Sequence, residues 1–289
     1  MQQTMLYKET NPDQLEMLEQ TGKFVSQDKI DGDNFKVYCT ERDIYDGKRR
    51  EIRLINRHEN EYTTQFPEII AGLGVKKGVS CVLNGELAYW SEEKQIYDFN
   101  KFRGRQGLQD KRKIMTRRLQ YPCKIYVFDL IEYNGINMVN NPHYTFEKRY
   151  QILQRIILNN NVTELVPIRT DLVNHFNEEC KGNREGIMVK NIDNLYCGGR
   201  TNSILKCKNW HFSKVKFTGF EENKNDTITL TNGTDKVLCA SRDNIDVVRQ
   251  TIKQLGYSYE VVRHLQGRSK DSGKIREGTY KEHIGVIEE

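Results

Sequence analysis

Asp28-Lys29-Ile30-Asp31-Gly32 sets a lysine against a glycine turn. An amine at such a place becomes a nucleophile only when neutral, which calls for a pKa lowered by burial or by neighbouring cations. It can then attack a phosphorus and form a phosphoramidate; the alternative is an exposed surface turn. Further along, Leu83-Asn84-Gly85-Glu86-Leu87 puts a carboxylate into an otherwise apolar strand over 79–90. A carboxylate there needs a cation, a metal or a ligand hydroxyl, unless the strand is an edge and Glu86 faces water. In Arg184-Glu185-Gly186-Ile187-Met188-Val189-Lys190, Glu185 and Lys190 bracket an apolar core. In a regular strand they point to opposite faces, whereas a bulge at Gly186 would turn both towards one site. Ile204-Leu205-Lys206-Cys207-Lys208-Asn209-Trp210 alternates two lysines on one strand face. Two cations so placed can hold a phosphate chain, or form a basic solvent face.

Around these stretches, strand-like runs rich in Val, Ile, Tyr and Phe occupy 35–40, 52–57, 79–90, 123–133, 186–190 and 204–208. Helical periodicity covers 146–158, where Phe146, Tyr150, Leu153 and Ile157 share a face, and a shorter helix is expected over 172–180. Strands with a few covering helices are an α+β pattern. After Trp210 the texture changes: short strands over 215–220, 227–231, 236–240 and 257–264, with one helix over 244–255, fit a small all-β barrel of OB type.

Charge is unevenly spread. The 289 residues carry a net charge of +5, yet Lys101, Arg103, Arg105, Lys111, Arg112, Lys113, Arg117 and Arg118 face only Asp110 in the segment 101–118. The rest of the chain is therefore slightly acidic. A basic segment on such a body is a docking surface for a polyanion, with phosphate contacts supplying affinity and salt dependence; a solvated face is the alternative. Arg103, Arg105, Lys111, Arg112 and Lys113 are the expected nucleic-acid contacts. Seven cysteines, an odd count with no CxxC pair, fit reduced thiols better than a disulfide framework or zinc site. No apolar run is long enough for a membrane span and no secretory signal is legible, so an intracellular protein, cytoplasmic or nucleoid-associated, is expected.

The order Lys-x-Asp-Gly, Asn-Gly-Glu, Phe-Asp, Glu-Gly-x-Met-x-Lys, Lys-x-Lys resembles the covalent nucleotidyltransferase superfamily, and within it the ATP-dependent DNA ligases in their minimal two-domain form. Leu54-Ile55-Asn56-Arg57 with Phe66-Pro67-Glu68, Tyr126-Val127-Phe128-Asp129-Leu130, and 196–200 support that likeness. The resemblance implies an α+β nucleotidyltransferase (adenylation) domain of antiparallel sheets with flanking helices over 1–212, followed by an OB-fold domain over 213–289. It implies that Lys29 takes AMP from ATP, that Asp31 and Gly32 shape its loop, and that Arg57 holds phosphate. Glu86 contacts the ribose or a metal, Phe128 stacks on adenine, Glu185 helps bind Mg²⁺, and Lys190, Lys206 and Lys208 meet the α-phosphate. The implied substrate is nicked duplex DNA and the implied state a monomer. An RNA ligase with the same chemistry, a capping guanylyltransferase and a non-catalytic nicked-duplex clamp are the rival readings. Two departures stand out: Asn34 replaces the arginine many DNA ligases have five residues after the lysine, and Asn84 replaces the aspartate of the usual Leu-Asp-Gly-Glu. The segment 276–283 matches the family's last motif only loosely.

Overall fold

The computed structural model describes residues 5–45, 47–268 and 274–286. In chain order, the first part contains β1 (Met5–Glu9), α1 (Leu15–Gln20), β2 (Phe24–Asp28), β3 (Asp33–Ile44), β4 (Gly47–Asn56), α2 (Pro67–Gly72) and β5 (Cys81–Ala88). There follow a small hairpin, β6 (Trp90–Ser91) and β7 (Ile96–Tyr97), then α3 (Phe99–Gln106), α4 (Lys111–Gln120), β8 (Lys124–Tyr133), β9 (Ile136–Asn137) and α5 (Phe146–Ile156). β10 (Thr163–Leu165), α6 (Leu172–Lys181), β11 (Gly186–Asn191) and β12 (Gly199–Lys208) complete this part. The remainder is β13 (Trp210–Phe217), β14 (Gly219–Glu222), β15 (Ile228–Thr231), β16 (Lys236–Cys239), α7 (Arg242–Leu255), β17 (Ser258–Arg268) and β18 (Ile275–Gly285). The chain divides into two compact units, Met1–Cys207 and Lys208–Glu289.

Besides the β6–β7 hairpin, the first unit has two larger sheets among the described residues, one ordered β1-β12-β11-β2 and the other β10-β8-β5-β3-β4, with β9 on β8. They are not wholly antiparallel: β1 joins β12 and β10 joins β8 in parallel. Alternation along the strands sorts their side chains. On β5, Leu83 and Leu87 enter the main core with Phe66, Phe102, Phe146 and Leu153, while Val82 packs with Ile131, Tyr196 and Ile204 between the two sheets. Glu86 shares parity with Val82 and Ala88, so it too faces the space between the sheets. On the other sheet, Ile187, Val189 and Cys207 pack outward against Leu15 of α1 and Leu172 and Phe176 of α6. Met188, Lys190 and Lys206 therefore lie on the opposite, inner face.

The basic segment departs from expectation at one residue. Arg105 is 1% exposed, and its guanidinium grips both carboxylate oxygens of Glu68 as well as the carbonyls of Gln65 and Tyr121. Phe66 stacks on Phe102, and Arg105 lies 5.0 Å over the Phe66 ring. Phe66-Pro67-Glu68 thus staples α2 to α3, and Arg105 has no access to a nucleic acid. Periodicity explains its burial: Phe102, Arg105 and Gln106 are the inward positions of α3, and the charge is tolerated there because Glu68 matches it.

The second unit is a six-stranded sheet ordered β13-β17-β18-β16-β15-β14. Val215, Phe217, Ile228, Leu230, Val237 and Val262 form its core under Ile245, Val248 and Ile252 of α7. It is the expected OB-type β unit, with 275–285 supplying a strand that the periodicity did not announce. The side chains of Arg276 and Glu277 lie outside the described residues. No helix among the described residues is long and apolar enough to cross a membrane.

Removing one partner of a buried ion pair leaves an uncompensated charge, so Glu68→Ala should cost about 3–5 kcal/mol in urea unfolding. Arg103→Ala, on the exposed side of α3, should change stability by under about 0.5 kcal/mol.

Candidate active site

Lys29 follows the last residue of β2. Asp28 pairs with Ile187 across the antiparallel β2–β11 ladder, and the Lys29 N–H donates to the Gly186 carbonyl at 2.9 Å. That pairing brings Lys29 to Glu185: Nζ lies 2.7 Å from Oε1, with side-chain exposures of 19% and 5%. Gly186 takes φ of +125°, a region open to glycine, and β11 then runs in unbroken register from Ile187 to Asn191. Gly32 closes the Lys29 loop onto β5; a Cβ there would meet the Leu87 carbonyl oxygen at 2.3 Å. Asp31 is buried beside it.

The electrostatics invert the expectation of a lowered lysine pKa. Burial alone would lower Lys29, but Glu185, with help from Glu86 and Asp31, raises it above its ordinary value. The amine is thus held as an ammonium among carboxylates. Glu86 shows the reverse stress: burial pushes its carboxyl up to about 8; Lys29 opposes this, and Asp33, Glu185 and Asp31 add to it. The β5–β8 register shifts at Asn84/Gly85, next to Glu86, and such irregularities re-aim side chains. Strongly shifted groups clustered between two sheets mark a functional site. The anionic surplus suits a divalent cation, which Glu86 and Glu185 would hold and which would supply positive charge against a polyphosphate.

Phe128 is half-buried beside Ile30, Ala88, Tyr126 and Val166, so the Lys29 loop and the aromatic expected to stack on a base share one apolar cluster. Lys190 does not join Lys29. Its ammonium donates to the Phe128 carbonyl at 3.1 Å and lies 4.7 Å from the ring centroids of both Phe128 and Phe146. Burial lowers it to about 8, Asp129 working against that and Arg149 with it. This geometry ties Lys190 to the Phe128 platform. Lys206 is half-buried on the inner face of β12, and Lys208, the strand's last residue, lies 5.0 Å over the Trp210 ring. Arg57 is exposed in the turn after β4; its backbone N–H donates to the Asn34 carbonyl at 3.1 Å and its Nε to His58 Nε2 at 3.1 Å.

The two departures from the family pattern touch each other. Asn34 Nδ2 donates to Asn84 Oδ1 at 3.0 Å, and Asn84 Nδ2 donates to the Tyr196 hydroxyl at 3.1 Å. A second contact had no sequence signal: Gln106 of α3 donates to Asp33 at 2.8 Å across 73 residues of chain. Arg103, Lys111, Arg112 and Lys113 are exposed on α3 and α4.

With this geometry in place, a family model described as the ATP dependent DNA ligase domain matches residues 4–208. The chain belongs to the ATP-dependent DNA ligase family. Its similarity to DNA ligase 1 of Methanosarcina mazei is 26% identity over 223 residues, 72% of this chain and 35% of that protein. To the DNA ligase of Thermoplasma volcanium it is 28% over 204 residues, 65% of this chain and 32% of that one. The chain thus spans about a third of the length of these curated relatives. Among solved structures, the ligase domain of M. tuberculosis LigD superposes with a TM-score of 0.56 at 15% identity, covering 99% of this chain and 98% of that one. A Lig E DNA ligase gives 0.62 at 14%, covering 98% and 99%. At such identities the likeness establishes the ligase fold, adenylation domain and OB unit alike.

Glu86→Gln is the variant that reads the strain in this site. The folded carboxyl keeps its proton up to about 8, against a reference value of 4.5, so unfolding releases that proton and wild-type stability falls as pH rises through this window. Glu86→Gln escapes that loss. Its melting temperature, relative to wild type, should climb between pH 5 and pH 8 and level off above, as followed by calorimetry.

Proposed function

We propose that this chain seals 5′-phosphate/3′-hydroxyl nicks in duplex DNA, driven by ATP, through an AMP joined to Lys29. The observation that carries the reading is the buried Lys29–Glu185 contact with Glu86 alongside. In the first step the Lys29 amine, having lost its proton, attacks the α-phosphorus; an N–P bond forms and pyrophosphate leaves with the broken P–O bond. The AMP then moves to the nick's 5′-phosphate, freeing the amine. Finally the 3′-hydroxyl attacks that phosphate and AMP departs. Phosphoryl transfer of this kind depends on positioning and charge neutralisation. Phe128 stacks the adenine, Lys190 steadies that ring, Asp31 and Gly32 hold the Lys29 loop, and Arg57, Lys206 and Lys208 neutralise phosphate. Glu86 and Glu185 are the ligands for Mg²⁺. The adenylation domain would span 1–212 and the OB-fold domain 213–289, working as a monomer.

Incubation with labelled ATP and Mg²⁺ tests this directly. Lys29→Ala should carry no label and seal nothing from ATP, yet still close a nick whose 5′-phosphate is already adenylylated. Loss of both activities would instead mark a folding defect. Faster sealing of nicked RNA than of nicked DNA would reassign the substrate.

The basic segment supplies a second test. Lys111, Arg112 and Lys113 fill the first turn of α4, the end where the helix dipole is already positive. The Asp110 cap, accepting from the Lys113 N–H at 2.8 Å, opposes them. DNA phosphates would relieve this repulsion. Replacing all three with alanine should leave self-adenylylation nearly intact and weaken nick binding. The slope of log affinity against log salt should fall by about 0.9 for each phosphate that is no longer neutralised; an unchanged slope would show that these cations meet only solvent.

A further inference from the structure

Lys29 and Glu185 come from different elements, and the residue just before each is held by the same helix. His175 and Glu179 stand one turn apart on α6 and are 2% and 3% exposed. His175 Nε2 lies 2.8 Å from Asp28 Oδ1, the residue before Lys29. Glu179 Oε1 accepts from Arg184 Nη1 at 2.6 Å, the residue before Glu185, and the Arg184 N–H donates to the Glu179 carbonyl at 2.9 Å. Behind the imidazole, Ser26 Oγ lies 2.7 Å from His175 Nδ1. A carboxylate can only accept, so Nε2 carries a proton towards Asp28. We infer that His175 and Glu179 are positioning residues: α6 grips the chain immediately before the nucleophile and immediately before its carboxylate partner, fixing one against the other.

The grip has a physical basis. Lys29 itself sits in a loop closed by a glycine, and Glu185 precedes a glycine in a conformation of wide freedom. Neither residue is held by regular structure on both sides. Helix α6 is, through Leu172 and Phe176 in the core beneath it, so bonds to its side chains transfer that rigidity to both segments. The same three groups, Asp28, His175 and Glu179, bring ligand atoms within 4.8 Å of one another, near enough for a cation. Each already has a protein partner of matching character, however: donor to carboxylate at Asp28, guanidinium to carboxylate at Glu179. The contacts form a bridge without an ion.

This inference rests on the proposed adenylylation of Lys29, and the test separates the two. Full-length wild type and His175→Ala, His175→Gln, His175→Asn and Glu179→Gln are assayed for label transfer from ATP, and hydrogen exchange is followed over 24–32 and 183–190. A misplaced nucleophile should slow label transfer on the order of 10- to 100-fold in His175→Ala, with the half-saturating ATP concentration within about twofold of wild type. His175→Gln, whose amide nitrogen reaches Asp28 as Nε2 does, should recover most of the rate; His175→Asn, which reaches only Ser26, should not. Exchange should quicken in both segments in His175→Ala, and in 183–190 alone in Glu179→Gln. Equal rates in the Gln and Asn variants would overturn the inference. So would a wild-type rate that falls on zinc chelation and returns with zinc only while His175 is present. If wild type takes no label, the proposed function fails while the exchange data still decide: no change in either segment would overturn the positioning role as well.

Discussion

A lysine and a glutamate, held 2.7 Å apart where water scarcely reaches, set the terms for the rest of the first unit. Two charges taken out of water repay their desolvation only when their geometry is good. The β2–β11 ladder supplies that geometry by pairing Asp28 with Ile187, and the helices stacked outside the sheet hold the ladder. The pair also poses a chemical problem. Glu185 keeps the amine protonated, while nucleophilic attack needs it neutral. As long as Glu185 stays beside it, the amine is held as an ammonium and is a poor nucleophile. Under the function proposed above, any charge that drew Glu185 away would let the amine lose its proton.

The strain around Glu86 belongs to the same design. Four carboxylates, Asp31, Asp33, Glu86 and Glu185, act on one buried region, and Lys29 opposes them. A chain selected for stability alone would replace Glu86 with a neutral residue. The substitution at Asn34 and Asn84 follows the opposite logic. At both positions that depart from the family pattern this chain carries an amide, and the two bond each other. The bond ties β3 to β5 with no charge on either side.

Much of this was legible in the chain. The strands bearing Glu86, Phe128, Lys190 and Lys206 were, because alternation and β-branched composition mark them and glycine or asparagine bounds them; the short strand β2, which ends just before Lys29, was not. Helices 146–158 and 172–180 were, because their apolar stripes are continuous. The fate of individual charges was not. Arg105 sits in a run of cations and counts as one of them until its position on the inward stripe of α3, and Glu68 opposite, are known. Lys190 reads as one more phosphate-binding lysine, yet its ammonium is taken up by the Phe128 carbonyl and two aromatic rings. Composition counts charge; only packing decides which charges are spent inside.

That distinction gives the segment 101–118 its organisation. Its inward residues, Phe102, Arg105 and Gln106, are committed: two hold α2 and α3 together, and Gln106 reaches Asp33 beside the Lys29 loop at 2.8 Å. Lys111, Arg112 and Lys113, outward on α4, are crowded at the helix end that least tolerates positive charge. A solvated face would gain nothing from that crowding, since moving the same cations to the last turn would favour the helix. The arrangement becomes favourable when the missing counter-charge arrives from outside. Because Gln106, on the inner side of the same segment, bonds Asp33, four residues from Lys29, an anion bound at α4 would bear on structure next to that lysine.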